Sequence, residues 1–428
     1  MRRMVMIADD LSGAADCGIA CANHGLPTVV LLDGAEGGSD VEVLAVDADT
    51  RWRDQQSAAR VTARLVCQYA SDDRCLFFKK LDSTLRGHVA AELAAALEVR
   101  RSGAGGRVVA VMAPAFPANG RTTANGRQFI HGRPLEESEI WQREHLPARS
   151  HIPEMLAEAR LNSAVVSTAC VRSGVHSLQE AIRRLADEAD VIVCDAETDE
   201  DLRAIATASM VLGQRTVWAG SAGLAYHLPL VAGFTQTAVS APDVALADGP
   251  TLFVIGSLSG VSREQAAILA ARGDVVTVNL SPHMLIEGAG SQQWKAHEQE
   301  LGDAVEAGTD VMLLPGSNHR MTSEQGPLLC SALAKMAAHL AGRVGALVAT
   351  GGESARAVLH GWGVNKLRLL GELETGLPVS VTEGWSRALP VLTKAGGFGT
   401  PQTLLRCHEF LRELDRNSAR NLLQGKRS

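Results

Sequence analysis

Lys79-Lys80-Leu81-Asp82-Ser83-Thr84-Leu85-Arg86-Gly87 packs two lysines, an acid, two hydroxyls and an arginine into one short run. The apolar stretch Cys75-Leu76-Phe77-Phe78 precedes it, and an alanine-rich helical pattern follows from His88. The sequence therefore predicts a strand that ends at the polar cluster and a helix that begins there. In an open α/β sheet the carboxyl ends of the strands are where small ligands bind. A carboxylate, hydroxyls and fixed positive charge at that place suit a polyhydroxylated anion. The competing reading is a solvated loop in which Asp82 or Ser83 caps the next helix.

Working outward, strand and helix signals alternate through the first half of the chain. Val5–Ala8 reads as a strand and Gly13–His24 as a helix ended by Gly25. Thr28–Leu32 and Val41–Val46 read as strands, Asp54–Tyr69 as a helix, Gly87–Val99 as a helix and Val108–Ala113 as a strand. Ala164–Thr168, Val191–Cys194 and Thr216–Trp218 follow as strands. This rhythm implies a mainly parallel sheet covered on both faces. The segment from Pro114 to Ser150 breaks it, and long irregular segments in compact domains are often functional.

A small, polar, proline-punctuated stretch at Phe234–Pro250 reads as a linker. Beyond it the alternation restarts, with strands at Thr251–Ile255, Val275–Asn279, Val311–Leu314, Ala346–Ala349 and Val391–Thr393. The expected fold is α/β: two three-layer α/β domains with mainly parallel sheets, spanning 1–235 and 251–428, a linker at 236–250, and a cleft between them.

Composition narrows the function classes. The chain has 428 residues, enough for two domains with full cores, and 46% of them are hydrophobic without any run long enough to span a membrane. Met1-Arg2-Arg3-Met4-Val5-Met6-Ile7-Ala8-Asp9-Asp10 does not read as a secretory signal. Eight scattered cysteines without a CxxC point to a reducing cytoplasm. The net charge of −7, interspersed signs and 4% aromatic content argue against a nucleic-acid partner. An anionic ligand must then be held by a few placed cations. A homodimer through a helix face stays open.

Asp9-Asp10-Leu11-Ser12-Gly13 follows the first strand at once. Two adjacent acids there need hydroxyls, cations or a metal, and one can accept a proton from a substrate hydroxyl. The bland alternative is capping, with Asp10 or Ser12 as the N-cap. Arg51, in Asp49-Thr50-Arg51 at another strand end, suits a bidentate grip on a carboxylate when taken with the other two sites; taken alone it reads as a solvated loop arginine.

The second half carries three loops of one kind: Gly256-Ser257-Leu258-Ser259-Gly260, Thr350-Gly351-Gly352-Glu353-Ser354 and Lys394-Ala395-Gly396-Gly397-Phe398-Gly399-Thr400. Glycine-rich strand-to-helix turns let backbone N–H groups approach phosphate. Three in one domain point to a nucleotide-phosphate site. No Walker A loop and no GxGxxG fingerprint is present, so the scheme is a small acid in the first domain and the phosphates of ATP, with Mg²⁺, in the second.

These motifs, together with Pro114-Ala115-Phe116-Pro117 and Gly120-Arg121-Thr122-Thr123, resemble the four-carbon acid sugar kinases nearly end to end. The resemblance implies an amino-terminal substrate domain, a carboxy-terminal nucleotide domain, and ATP-dependent phosphorylation of a tetronate-type acid sugar at its terminal hydroxyl. D-threonate stands first, with D-erythronate and 3-oxo-tetronate as alternatives.

Carried over by residue, the resemblance makes Asp9, Arg51, Lys80, Leu81, Asp82, Ser83 and Arg86 substrate ligands, with Asp10 beside them. It makes Ser257, Gly351, Gly352, Glu353, Ser354 and Gly397 nucleotide ligands, and the loop pattern adds Gly396. Asp9 and Asp82 are the two candidates for general base. Metal ligands are not assigned. Two departures stand out: family members usually carry aspartate where Glu353 stands and often serine where Ala395 stands. The rival readings are a non-catalytic sugar-acid sensor and a nicotinamide-dependent oxidoreductase.

Overall fold

The computed structural model describes residues 3–32, 34, 41–71, 75–104, 106–138, 141, 150–234, 246–281, 284, 288–316 and 326–414. It divides into two compact units, Met1–Pro27 with Glu36–Thr237, and Thr28–Ala35 with Ala238–Ser428.

Through the first unit run β1 (Arg3–Ala8), α1 (Leu11–Asn23), β3 (Val43–Asp47), α2 (Gln55–Tyr69), β4 (Cys75–Lys80), α3 (Val89–Ala104) and β5 (Val109–Ala113). The strand between α1 and β3, β2 (Thr28–Leu32), belongs to the second unit. A ribbon follows, β6 (Arg121–Ala124), β7 (Arg127–Ile130) and β8 (Arg133–Pro134). Then come α4 (Ile152–Glu158), β9 (Ser163–Val166), α5 (Thr168–Val171), α6 (Val175–Glu188), β10 (Val191–Cys194), α7 (Asp199–Ser209) and β11 (Thr216–Gly220).

The main sheet of this unit runs β3-β1-β4-β11-β5-β10-β9, with every pairing parallel. Such strands are buried on both faces, which is why Met4–Ala8 and Cys75–Lys80 read as unbroken buried runs. The chain lays β3 on one side of β1 and β4 on the other. The order reverses at β1, and the loops after β1, β3 and β4 open at that switch point.

The second unit contains β12 (Thr251–Ile255), α8 (Gly260–Ala270), β13 (Val275–Leu280), α9 (Gln292–Glu306), β14 (Asp310–Pro315), α10 (Gly326–Ala337), β15 (Ala346–Thr350), α11 (Gly352–Gly361), β16 (Lys366–Glu372), β17 (Pro378–Thr382), β18 (Pro390–Lys394) and α12 (Thr403–Glu413). Its strands are ordered β13-β14-β12-β15-β18-β17-β16-β2. The first five are parallel, and β17, β16 and β2 add on antiparallel.

Three expectations are corrected here. Thr28–Leu32 was expected in the first domain, but it pairs antiparallel with β16, so the amino-terminal segment lends a strand to the second unit. Pro114–Ser150 is not wholly irregular, because β6-β7-β8 form an antiparallel ribbon. The expected linker 236–250 falls mostly on 235–245, outside the described residues. Its end is packed structure: Leu246 is buried in the second unit's core, and Ala247 N–H donates to Ala388 O. No helix among the described residues is long and apolar enough to cross a membrane.

Candidate active site

In the first unit the loops after β1, β3 and β4 place their charges together. Asp10 is the N-cap of α1: its Oδ1 accepts Gly13 N–H at 2.9 Å, while Oδ2 accepts Arg51 Nη1 at 2.9 Å. Asp9 Oδ2 accepts Arg51 Nε at 2.8 Å, and its Oδ1 is buried with no hydrogen-bond partner among the described residues. Arg51 also lies 3.8 Å from Asp82. The arginine expected to grip a substrate carboxylate is therefore spent on bridging three acids.

Asp82 is saturated. Its Oδ2 accepts Arg86 Nε at 2.7 Å, the Thr84 hydroxyl, and Thr84 and Arg86 backbone N–H groups at 3.3 Å. Arg86 Nη2 reaches Oδ1 at 3.1 Å. Leu85 N–H donates to Asp82 O at 2.8 Å with Leu85 at φ +55°, a left-handed residue that folds Arg86 back over the acid. Burial favours the neutral carboxyl, but Arg86 and Arg51 outweigh it and hold Asp82 well below the usual range. Asp9 is shifted down too, with Arg51, Lys80 and Lys79 overcoming its burial. Both are carboxylates at neutral pH; only Asp9 keeps an oxygen to spare.

Lys80 is 5% exposed and forms no ion pair among the described residues. Its pKa is raised despite burial by Cys17, Asp9, Asp10 and Asp82, so the ammonium stays charged. A Cβ on Gly13 would fall 2.9 Å from Lys80 Nζ and 2.8 Å from Asp10 Oδ1, so the lysine lies close against the first turn of α1 and a side chain at residue 13 would displace it. Lys79, on the opposite face of the strand, is consumed by a buried ion pair with Glu92 at 2.8 Å. Leu81 has its side chain in the core, and only its backbone borders the site.

The ribbon supplies what the sequence reading left out. Gln128 Nε2 donates to Ser83 O at 2.9 Å, and Thr123 Oγ1 donates to Gln128 Oε1 at 2.7 Å. Arg121, half-buried, is close enough to Asp82, Arg86 and Asp16 to feel their charges, and burial lowers its pKa. The signal was present in Asn125-Gly126, both at positive φ, the dipeptide that a two-residue hairpin turn demands.

In the second unit three loops converge beside β12, β15 and β18. A Cβ on Gly256 would overlap Ser354 Oγ, and one on Gly396 would stand 2.6 Å from Ser257 Cβ as well as overlapping its hydroxyl. Gly351, the N-cap of α11, sits at φ +90°. Ser257 N–H reaches Thr350 Oγ1 at 3.4 Å. Ser259 Oγ donates to Gly396 O at 2.7 Å and Ser262 Oγ at 2.8 Å. Gly352 and Glu353 open α11, and Gly397 is exposed at the loop tip. Ser354 is buried and its Oγ lies 3.3 Å from Cys330 Sγ, so it packs the junction rather than facing out.

Comparison with known proteins agrees with this division. A sugar-binding N-terminal domain model matches residues 4–228, and a nucleotide-binding C-terminal domain model matches residues 252–404. The chain is 40% identical to a D-threonate kinase of Cupriavidus necator over 96% of its own length and 98% of the relative. It is 34% identical to a D-threonate kinase of Bordetella bronchiseptica over 95% of its length and 97% of the relative. The chain belongs to the four-carbon acid sugar kinase family. This kinase is accordingly an ATP-dependent phosphotransferase with an alcohol group as acceptor. A solved structure from Salmonella typhimurium, described as a putative tRNA synthase, shares the kinase's fold at a TM-score of 0.78 and 21% identity, covering 95% of this chain and 99% of that one.

Proposed function

We propose that the kinase phosphorylates the terminal hydroxyl of a four-carbon acid sugar, D-threonate to 4-phospho-D-threonate first, with D-erythronate or 3-oxo-tetronate as the alternatives. The first unit holds the acid sugar and the second holds ATP. The observation that carries the reading is Asp9 Oδ1: a buried carboxylate oxygen without a partner among the described residues, oriented by Arg51 through its other oxygen.

Asp9 is the general base that takes the proton of the attacking hydroxyl. Asp82 is excluded from that role by the donors it already accepts, and it shapes the loop instead. Lys80, with Arg121, supplies the positive charge for the substrate carboxylate, while Ser83 offers a hydroxyl. On the nucleotide side, Ser257, Gly351, Gly352, Glu353, Gly396 and Gly397 line the phosphates, and Ser354, expected among them, packs the loops from behind. The glycines at 256 and 396 fit that use, since any side chain there would collide with Ser354 or Ser257 and force the loops apart.

Glu353, in the first turn of α11 within the second glycine loop, is the acid that would face Mg²⁺ carried on the ATP phosphates, where the ion would supply charge neutralisation. Phosphoryl transfer then rests on positioning and charge stabilisation.

The test is a coupled ADP-release assay with MgATP against D-threonate, D-erythronate, L-threonate and 3-oxo-tetronate. Turnover of one acid far above the others assigns the substrate. No release with any of them, by protein that binds ADP, refutes the tetronate reading.

A further inference from the structure

Lys394 ends β18 and turns back beneath the loop that follows it. Its Nζ donates to the carbonyls of Ala395 at 3.0 Å, Gly396 at 3.2 Å and Phe398 at 2.9 Å. The residue is 1% exposed and forms no ion pair among the described residues. Two of these carbonyls are also held from α8 and its N-cap: Gly396 O by the Ser259 and Ser262 hydroxyls, and Phe398 O by Gln265 Nε2 at 3.1 Å, which also donates to Thr400 O at 2.8 Å. Every carbonyl so engaged points into the protein, around one buried cation.

A buried ammonium without a carboxylate costs free energy, so its presence calls for a return. The groups that face it are few. Cys407, on α12, is pushed up to about 12 by burial. Glu374 is occupied by Arg406 and the Thr403 hydroxyl. Ser262 and Gln265 from α8 are uncharged. Three carbonyls, not an acid, solvate the ammonium, and they belong to the glycine-rich loop.

We infer that Lys394 is the positioning residue of the nucleotide site: its ammonium gathers the loop's carbonyls inward, so that the amides of Gly396 and Gly397 are presented to phosphate over a buried positive charge. The inference rests on the nucleotide-binding reading of the second unit. It adds a consequence which that reading lacks. Burial lowers the lysine to about 8, with Cys407 and Glu374 offsetting only part of the effect. Nucleotide affinity should therefore weaken as the ammonium is lost, on the alkaline side of neutrality.

The experiment is calorimetric titration of the full chain with ADP between about pH 7 and about pH 9.5, a range in which ordinary carboxylates and arginines do not titrate. The expected result for the native chain is a fall in ADP affinity of about fivefold or more across that range. Lys394→Met should lose about tenfold in ADP affinity at neutral pH and show no further pH dependence, with the KM for the acid sugar unchanged. A structural defect alone would lower stability without removing the pH dependence. Flat native affinity across the range overturns the inference without needing the variant. Native-like ADP binding by folded Lys394→Met also overturns it. Absence of ADP binding by the native chain at any pH instead refutes the nucleotide reading itself, and the inference falls with it.

Discussion

Replacing Asp9 and Asp82 in turn by asparagine separates chemistry from architecture at the acid-sugar site. Asp9→Asn keeps the shape and leaves Arg51 its contacts to Asp10 at 2.9 Å and Asp82 at 3.8 Å. The stability loss is one charge-assisted hydrogen bond, about 1.5–3 kcal/mol. The variant cannot take a proton, and a positioned general base contributes about 10²–10⁴-fold, or about 3–5 kcal/mol of barrier. kcat should fall by that factor while the KM for the acid moves little. Asp82→Asn breaks a buried pair with Arg86 and loosens the Asp82–Arg86 turn, so its stability loss should be about 3–5 kcal/mol, with a raised KM for the acid and kcat within about tenfold of native. Steady-state kinetics with MgATP and the preferred acid, beside urea melts of each variant, read both quantities. Equal loss of kcat in the two variants, or native kcat in Asp9→Asn, would refute the assignment of the base.

Three further outcomes follow from the geometry. Gly396→Ala drives a Cβ against Ser257, an overpacking of about 1–3 kcal/mol, so ADP affinity should fall about 5- to 150-fold with the acid KM unmoved; unchanged ADP titration would mean the loops do not cradle phosphate. The Asp47 carboxyl is pushed well above the usual carboxylate range, first by burial and then by Asp10, Asp49 and Asp9, against the Asp49 N–H bond. The native state keeps a proton that the unfolded chain releases above about pH 4, so this residue costs stability as pH rises. Asp47→Asn should therefore gain stability relative to the native chain between about pH 5 and about pH 7, and a pH-independent difference in urea melts would contradict the assignment. Gln128→Leu removes the 2.9 Å bond to Ser83 O, worth about 1 kcal/mol, and should raise the acid KM several-fold while leaving ADP affinity alone; an unchanged KM would show that the ribbon does not hold the loop.

Much of the molecule was legible in local pattern. Continuous apolar runs such as Val43–Asp47 and Thr251–Ile255 announce strands buried on both faces, and a polar cluster at the end of each announces the ligand edge. The Asp9-Asp10 pair divided as the chemistry of caps requires, one acid to the α1 amino end and the other left with a free oxygen. The three glycine loops were visible as loops, because steric demand is written in residue type at 256, 351 and 396.

What escaped were properties of partners distant in sequence. Nothing in Thr28–Leu32 records that its edge pairs with Lys366–Leu369, because a strand's hydrophobic pattern specifies burial and not the neighbour. β16 and β17 went unread for the same reason: they complete the second sheet only by antiparallel addition. The roles within the charge cluster were also undecidable from composition. Arg51, Lys80, Arg86 and Arg121 all read simply as cations, and it is proximity that spends Arg51 on three acids and Arg86 on Asp82 while leaving Lys80 without an ion pair among the described residues. The sequence by itself determined the strand-ends, the caps and the glycines, which depend on a residue and its near neighbours. Tertiary structure alone decided which carboxylate keeps a free oxygen and which lysine lies beneath a loop, because a charge's state is set by whatever else the fold buries beside it.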